Sequence, residues 1–88
     1  MSNDKILSVI TELTQIGSDL SVPKNVRTHV KRAIYALEDQ NGKVEVKIDK
    51  ALEELGDADT DPNIPQYTRT KIWGVVSALE SNNLNPKN

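Results

Sequence analysis

Apolar residues in the first forty positions recur at helical spacing. Ile6, Val9, Ile10, Leu13 and Ile16 fall at i, i+3, i+4, i+7 and i+10, the stripe of one α-helix. Ser2 or Asn3 stands where a cap is wanted, Asp4 lies in the first turn, and Gly17-Ser18 closes the segment. After the loop Asp19–Val22, Pro23 opens a second helix, where its missing N–H has no helical partner to lose. Val26, Val30, Ala33, Ile34 and Leu37 form its stripe. The pattern predicts helix to about Asp39, with Asn41-Gly42 as C-cap and turn. A third helix is predicted over about Val44–Leu55 from Val44, Ile48, Ala51, Leu52 and Leu55. Gly56–Ile64 reads as an acidic loop. Pro65 then starts a fourth helix with the stripe Ile72, Val75, Val76 and Leu79. Asn82–Asn88 are polar, include Pro86 and read as a frayed tail.

The four segments are not independent. Shifting the chain by 42 residues aligns Lys5–Glu38 with Lys47–Glu80 without a gap and with 11 identities in 34 positions. Pro23/Pro65, Arg27/Arg69, Asp19/Asp61 and Ala36-Leu37-Glu38/Ala78-Leu79-Glu80 are among them, and Val22/Ile64, Val30/Ile72 and Ile34/Val76 are conservative apolar matches. The chain therefore reads as a duplicated helical hairpin, with units of about 5–38 and 47–80 in one domain spanning 1–88. Two repeats are too few for an open solenoid. The expected fold is all-α, a compact four-helix bundle of two hairpins closed face to face. The spacing Asp-x-x-Val-Pro-x-x-x-Arg leaves a short HEAT-like pair as the alternative.

Ser21-Val22-Pro23-Lys24-Asn25-Val26-Arg27, Asp61-Pro62-Asn63-Ile64-Pro65 and Arg69-Thr70-Lys71-Ile72-Trp73 resemble the short archaeal uncharacterised protein family numbered 0147. The resemblance runs from about Ile6 to Glu80, and the second Pro/Arg/Trp block is its distinctive part. It implies a helical bundle of this size. It implies no activity, since the family has no assigned function and no catalytic residues to carry over.

Composition narrows the chemistry. With no Cys, disulfides, thiolate metal sites and cysteine nucleophiles are excluded. With one Trp, two Tyr and no Phe, the core must be built from Ile, Leu, Val and Ala. A net charge of −2, from 11 basic and 13 acidic residues, is wrong for a globally basic nucleic-acid binder. No run of 18 apolar residues exists to span a membrane, and the charged opening segment does not fit a secretory signal. A cytoplasmic protein is expected.

Candidate sites follow residue by residue. Asp57, Asp59 and Asp61 match the first ligand spacings of an EF-hand, but Pro62 replaces its Gly and Thr68 its bidentate Glu, so a solvated capping loop is the better reading. His29 is the sole histidine, with no second His or Cys to share a metal, and is expected on an exposed flank. No nucleophile–base pair can be assembled, so neither catalytic residues nor a cofactor nor a metal is expected, and the protein is read as a non-enzyme. Arg27 and Arg69 sit beside the apolar stripes, where ion pairs with Asp19 and Asp61, or with a neighbouring-helix Glu, would be structural; a ligand-binding arginine pair is the alternative. Lys24, Arg27 and Lys31 share one side of the second helix and form a basic strip that could contact phosphate.

The fourth helix differs from the second on its outer side. Tyr67, Thr70, Gly74, Ser77 and Ser81 carry no charge there and Trp73 borders them, whereas the second helix shows Lys24, Thr28, Lys31, Tyr35 and Asp39. Small residues admit a close helix, and Trp is a favoured anchor. The competing reading has Trp73 completing the core, stacked on Arg69. Thr70, Trp73, Gly74 and Ser77 are thus the interface candidates for a homo-oligomer or a protein partner, with nucleic-acid or ribonucleoprotein association through the basic strip as the alternative.

Overall fold

The computed structural model describes residues 3–84 of the 88-residue chain, with side chains over 5–81. It contains four α-helices: α1 (Asn3–Gly17), α2 (Lys24–Glu38), α3 (Val44–Ala58) and α4 (Gln66–Leu84). Among the described residues there is no strand. Each helix packs against two neighbours in cyclic order, α1–α2–α3–α4–α1, and among the described residues the backbones of diagonal helices do not approach one another. The result is a four-helix bundle with extents of 38 × 22 × 20 Å. The α2–α3 contact is the most extensive and α1–α4 the least.

The core is aliphatic, as the composition requires. Its buried positions follow the 42-residue register: Val9/Ala51, Leu13/Leu55, Ile16/Ala58, Val22/Ile64, Val26/Thr68, Val30/Ile72, Ala33/Val75 and Leu37/Leu79 are buried in both halves. Where one half places Ile16 or Val9, the other places Ala, and Val75 answers Ala33, so bulk alternates across the centre. Ile6, Ile10, Ile34, Leu52 and Val76 pack only partly against this cluster. Val44, expected in the stripe of α3, is exposed at its first turn.

Two helix ends, those of α3 and α4, and one cap differ from the sequence expectation. α3 runs on to Ala58 because Ala58 continues the buried series Ile48, Ala51, Leu55. Gly56 is therefore a helical residue, and the acidic loop shortens to residues 59–65. α2 ends where the pattern places it, but its C-cap is Asp39, extended at φ −65°, ψ 116°, and not the Asn41-Gly42 pair. α4 stays helical through Leu84, so 82–84 belong to the helix; the remainder of the expected tail, like Ser2 as the expected cap, lies outside the described residues.

All three loops turn on an aspartate. The carboxylates of Asp19, Asp39 and Asp61 accept the backbone N–H groups of Ser21, Asn41 and Asn63 at 2.8–2.9 Å. These are Asx turns, in which a side-chain oxygen replaces the carbonyl of a backbone turn. After each proline-led start, Arg27 N–H and Arg69 N–H reach the carbonyls of Pro23 and Pro65 at 3.0 Å, the first helical bonds.

Candidate functional site

The outer side of α4 presents Thr70, Trp73, Gly74 and Ser77 to solvent. This follows from the helix phase: Thr68, Ile72, Val75 and Leu79 turn inward, which forces the opposite arc outward. A Cβ added at Gly74 would meet nothing within 4 Å. The glycine floors a shallow groove between α4 and α1, with Ser8, Glu12, Lys71 and Ala78 on its walls. Trp73 does not complete the core. It is 51% exposed, and its ring N–H is 3.2 Å from Asp59 Oδ1.

That same Asp59 oxygen accepts Arg69 Nη1 at 2.9 Å. Arg69 also donates to the carbonyls of Asp59 (2.8 Å) and Asp61 (3.2 Å). Its guanidinium thus ties the α3–α4 loop to α4, and the loop in turn steadies Trp73. The ion pair expected between Arg69 and Asp61 is made with Asp59 instead. The carboxylate of Asp61 faces its own turn and leaves only its carbonyl for the arginine. Arg27 does the analogous work through one bond, from Nε to the carbonyl of Val22 at 3.0 Å. Asp19 does not pair with it.

Asp19 looks the other way, toward α4. Its Oδ1 accepts the hydroxyl of Ser21 at 2.6 Å, its Oδ2 accepts the hydroxyl of Tyr67 at 2.9 Å, and the two hydroxyls lie 2.8 Å apart. The Ser21 hydroxyl and N–H, then the Tyr67 hydroxyl, hold the Asp19 carboxyl below its ordinary value, with a minor contribution from Lys71. This cluster joins the first loop to the start of α4.

His29 is not on an exposed flank. It is half-buried against α3, and its Nδ1 lies 2.8 Å from Glu54 Oε1. At 100° per residue His29 lies about 80–90° off the centre of its helix's apolar stripe, and such a residue is brought inward when a neighbour packs on that side, which periodicity within α2 cannot report. Asp57, in the last turn of α3, adds a third ligand-type atom, all three lying within 4.8 Å of one another. The EF-hand spacing does not form a cage: Asp57 is helical, Asp59 holds Arg69 and Trp73, and Asp61 closes a turn. In the basic strip, Lys24 and Lys31 are exposed, whereas Arg27 is turned toward the loop carbonyl.

No helix among the described residues is long and apolar enough to cross a membrane. Residues 1–81 match an uncharacterised protein family, UPF0147. Among solved structures, the crystal structure of the unknown-function protein MMP1188 is similar, with 37% sequence identity over 92% of this chain and 92% of that chain and a TM-score of 0.88. No curated protein matches the chain significantly.

Proposed function

The chain belongs to the uncharacterised protein family UPF0147, and from that premise we propose that it is a small cytoplasmic assembly module, without catalytic activity, that pairs with a second copy of itself through α4. The observation that carries this reading is the uncharged outer side of α4, where half-exposed Trp73 stands beside a glycine with open space above it. Gly in a helix interior costs about 1 kcal/mol relative to Ala, which a close helix crossing offsets. The register supports a copy of the same helix as occupant. In an antiparallel two-fold crossing centred on Gly74, each Tyr67 faces Ser81 and each Thr70 faces Ala78, so large residues meet small ones and no like charges are opposed. The weakly packed α1–α4 groove beneath supplies the room.

Sedimentation of the wild type and of Gly74→Glu tests the proposal. Because a Cβ at 74 meets nothing within 4 Å and the groove there is open, the variant is expected to keep the helical content and melting behaviour of the monomer. The wild type is expected to be dimeric at micromolar concentration and the variant monomeric. A wild type that is monomeric at high concentration, or a Gly74→Glu variant that stays dimeric, rules the interface out. Salt-dependent gel shifts with RNA that vanish in a Lys24→Ala/Lys31→Ala double variant would instead establish nucleic-acid association as the function.

A further inference from the structure

We propose that His29, Glu54 and Asp57 form a binding site for a divalent cation of the zinc class, bridging α2 and α3. Three different ligand-bearing side chains converge from two helices, with their nitrogen and oxygen atoms inside a 4.8 Å sphere of mutual distance. Glu54 and Asp57 are spaced i, i+3 on α3 and so share one face. His29 reaches them from α2 across the most extensive helix contact of the bundle.

The dimensions suit a small ion. Zinc–nitrogen and zinc–oxygen bonds of about 2.0–2.2 Å in a tetrahedron place ligand atoms about 3.3 Å apart. The His29–Glu54 pair, at 2.8 Å, is hydrogen-bonded and needs to open by only about half an ångström as the cation displaces the shared proton. Asp57 is exposed and can swing in by a rotamer change, while the partial burial of His29 and Glu54, 18% and 26% exposed, keeps those two oriented before the ion arrives. An imidazole nitrogen beside two carboxylates favours zinc-class ions over Mg²⁺ and Ca²⁺, which seek all-oxygen shells. Three protein ligands leave a fourth position for water.

The other half of the chain provides an internal comparison. The register-equivalent residues are Lys71, Glu12 and Gln15, of which Lys71 and Glu12 line the α1–α4 groove. The glutamate is common to both halves. The ligating partners are present in one only, since a lysine ammonium and an amide replace the imidazole and the carboxylate. A hydrogen bond or ion pair between helices needs only the first kind of set; the second kind can also bind a metal.

Zinc titration by calorimetry into the untagged full-length chain, with cobalt(II) absorption as a second readout, tests the assignment. The wild type is expected to take up one Zn²⁺, to show a visible cobalt band of low coordination number, and to be unaffected by excess Mg²⁺. Asp57→Asn, at an exposed position, keeps the metal-free melting temperature and weakens zinc at least tenfold, as does His29→Gln. Glu12→Gln leaves zinc affinity unchanged. Failure of the wild type to bind zinc, or binding that survives either Asp57→Asn or His29→Gln, overturns the site. Should His29→Gln fold poorly, the Asp57→Asn comparison alone decides the matter.

Discussion

Arg27 and Arg69 occupy equivalent register positions, yet they do unequal work. Arg69 makes three bonds to the α3–α4 loop, one of them to a carboxylate, whereas Arg27 makes one bond, to a carbonyl. Charged hydrogen bonds contribute about 1.5–3 kcal/mol, and partial exposure of Arg69 and Asp59 pulls the value toward the lower end. Arg69→Ala is therefore expected to cost about 2 kcal/mol in urea unfolding and Arg27→Ala about 1 kcal/mol. Arg69→Lys should recover little, because an ammonium cannot span acceptors set for a planar fork. Equal losses at the two positions would show that the extra bonds carry no energy. Both arginines stand out in the sequence through the repeat, but their acceptors do not. Asp59 has Gly17 as its register equivalent, so the repeat points away from the aspartate that matters.

At the scale of the element, α3 shows how burial overrides a local stop signal. Gly56 reads as the end of a helix, yet Leu55 and Ala58 are both buried, and continuing the helix is what brings Ala58 to the core. Gly56 then sits in a helix with nothing within 4 Å of an added side chain. Gly56→Ala should stabilise the protein by about 0.5–1 kcal/mol, through a less mobile unfolded chain and no new clash. Thermal unfolding measures this directly; a lower melting temperature would mean that the residue is not helical in solution. Asp57 lies within 4.8 Å of His29 only because of the same extension. Had the helix ended at Leu55, the carboxylate would have lain in a loop.

At the scale of the bundle, the α1–α4 seam is the least extensive helix contact among the described residues, and the Asp19–Ser21–Tyr67 cluster fastens one end of it. Tyr67→Phe removes the hydroxyl whose contacts with Asp19 and Ser21 join the hairpins across this seam. The Asp19 carboxyl titrates below its ordinary value of 3.8 in the folded protein, chiefly through Ser21 and then Tyr67. A group with a depressed folded pKa stabilises the fold above its unfolded pKa and loses that contribution as pH falls through the folded value. The stability gap between wild type and Tyr67→Phe should thus be full at neutral pH and shrink in acid below the ordinary carboxylate range. Urea midpoints across an acid pH series report it. A gap that stays constant into strong acid would show that the Tyr67 hydroxyl acts through Ser21 rather than through the Asp19 carboxylate.

Much of the architecture is written in the sequence because it depends on local periodicity. The 3.6-residue spacing of Val9, Leu13 and Ile16, or of Ile72, Val75 and Leu79, states which side of a helix avoids water, whatever it packs against. The 42-residue register likewise foretold that Val22 and Ile64 would share a fate, and both are buried. The outward set Thr70, Trp73, Gly74 and Ser77 was legible for the same reason, as the complement of an inward stripe. The polar partnerships were decided by tertiary structure alone. His29 meets Glu54 across 25 positions and Tyr67 meets Asp19 across 48, distances at which no helical period carries information. Which flank of a helix is covered depends on which neighbour lies there and at what height, and those are properties of the assembled bundle. A side chain such as His29, at the border between the wet and dry arcs, is placed by its neighbour rather than by its own helix.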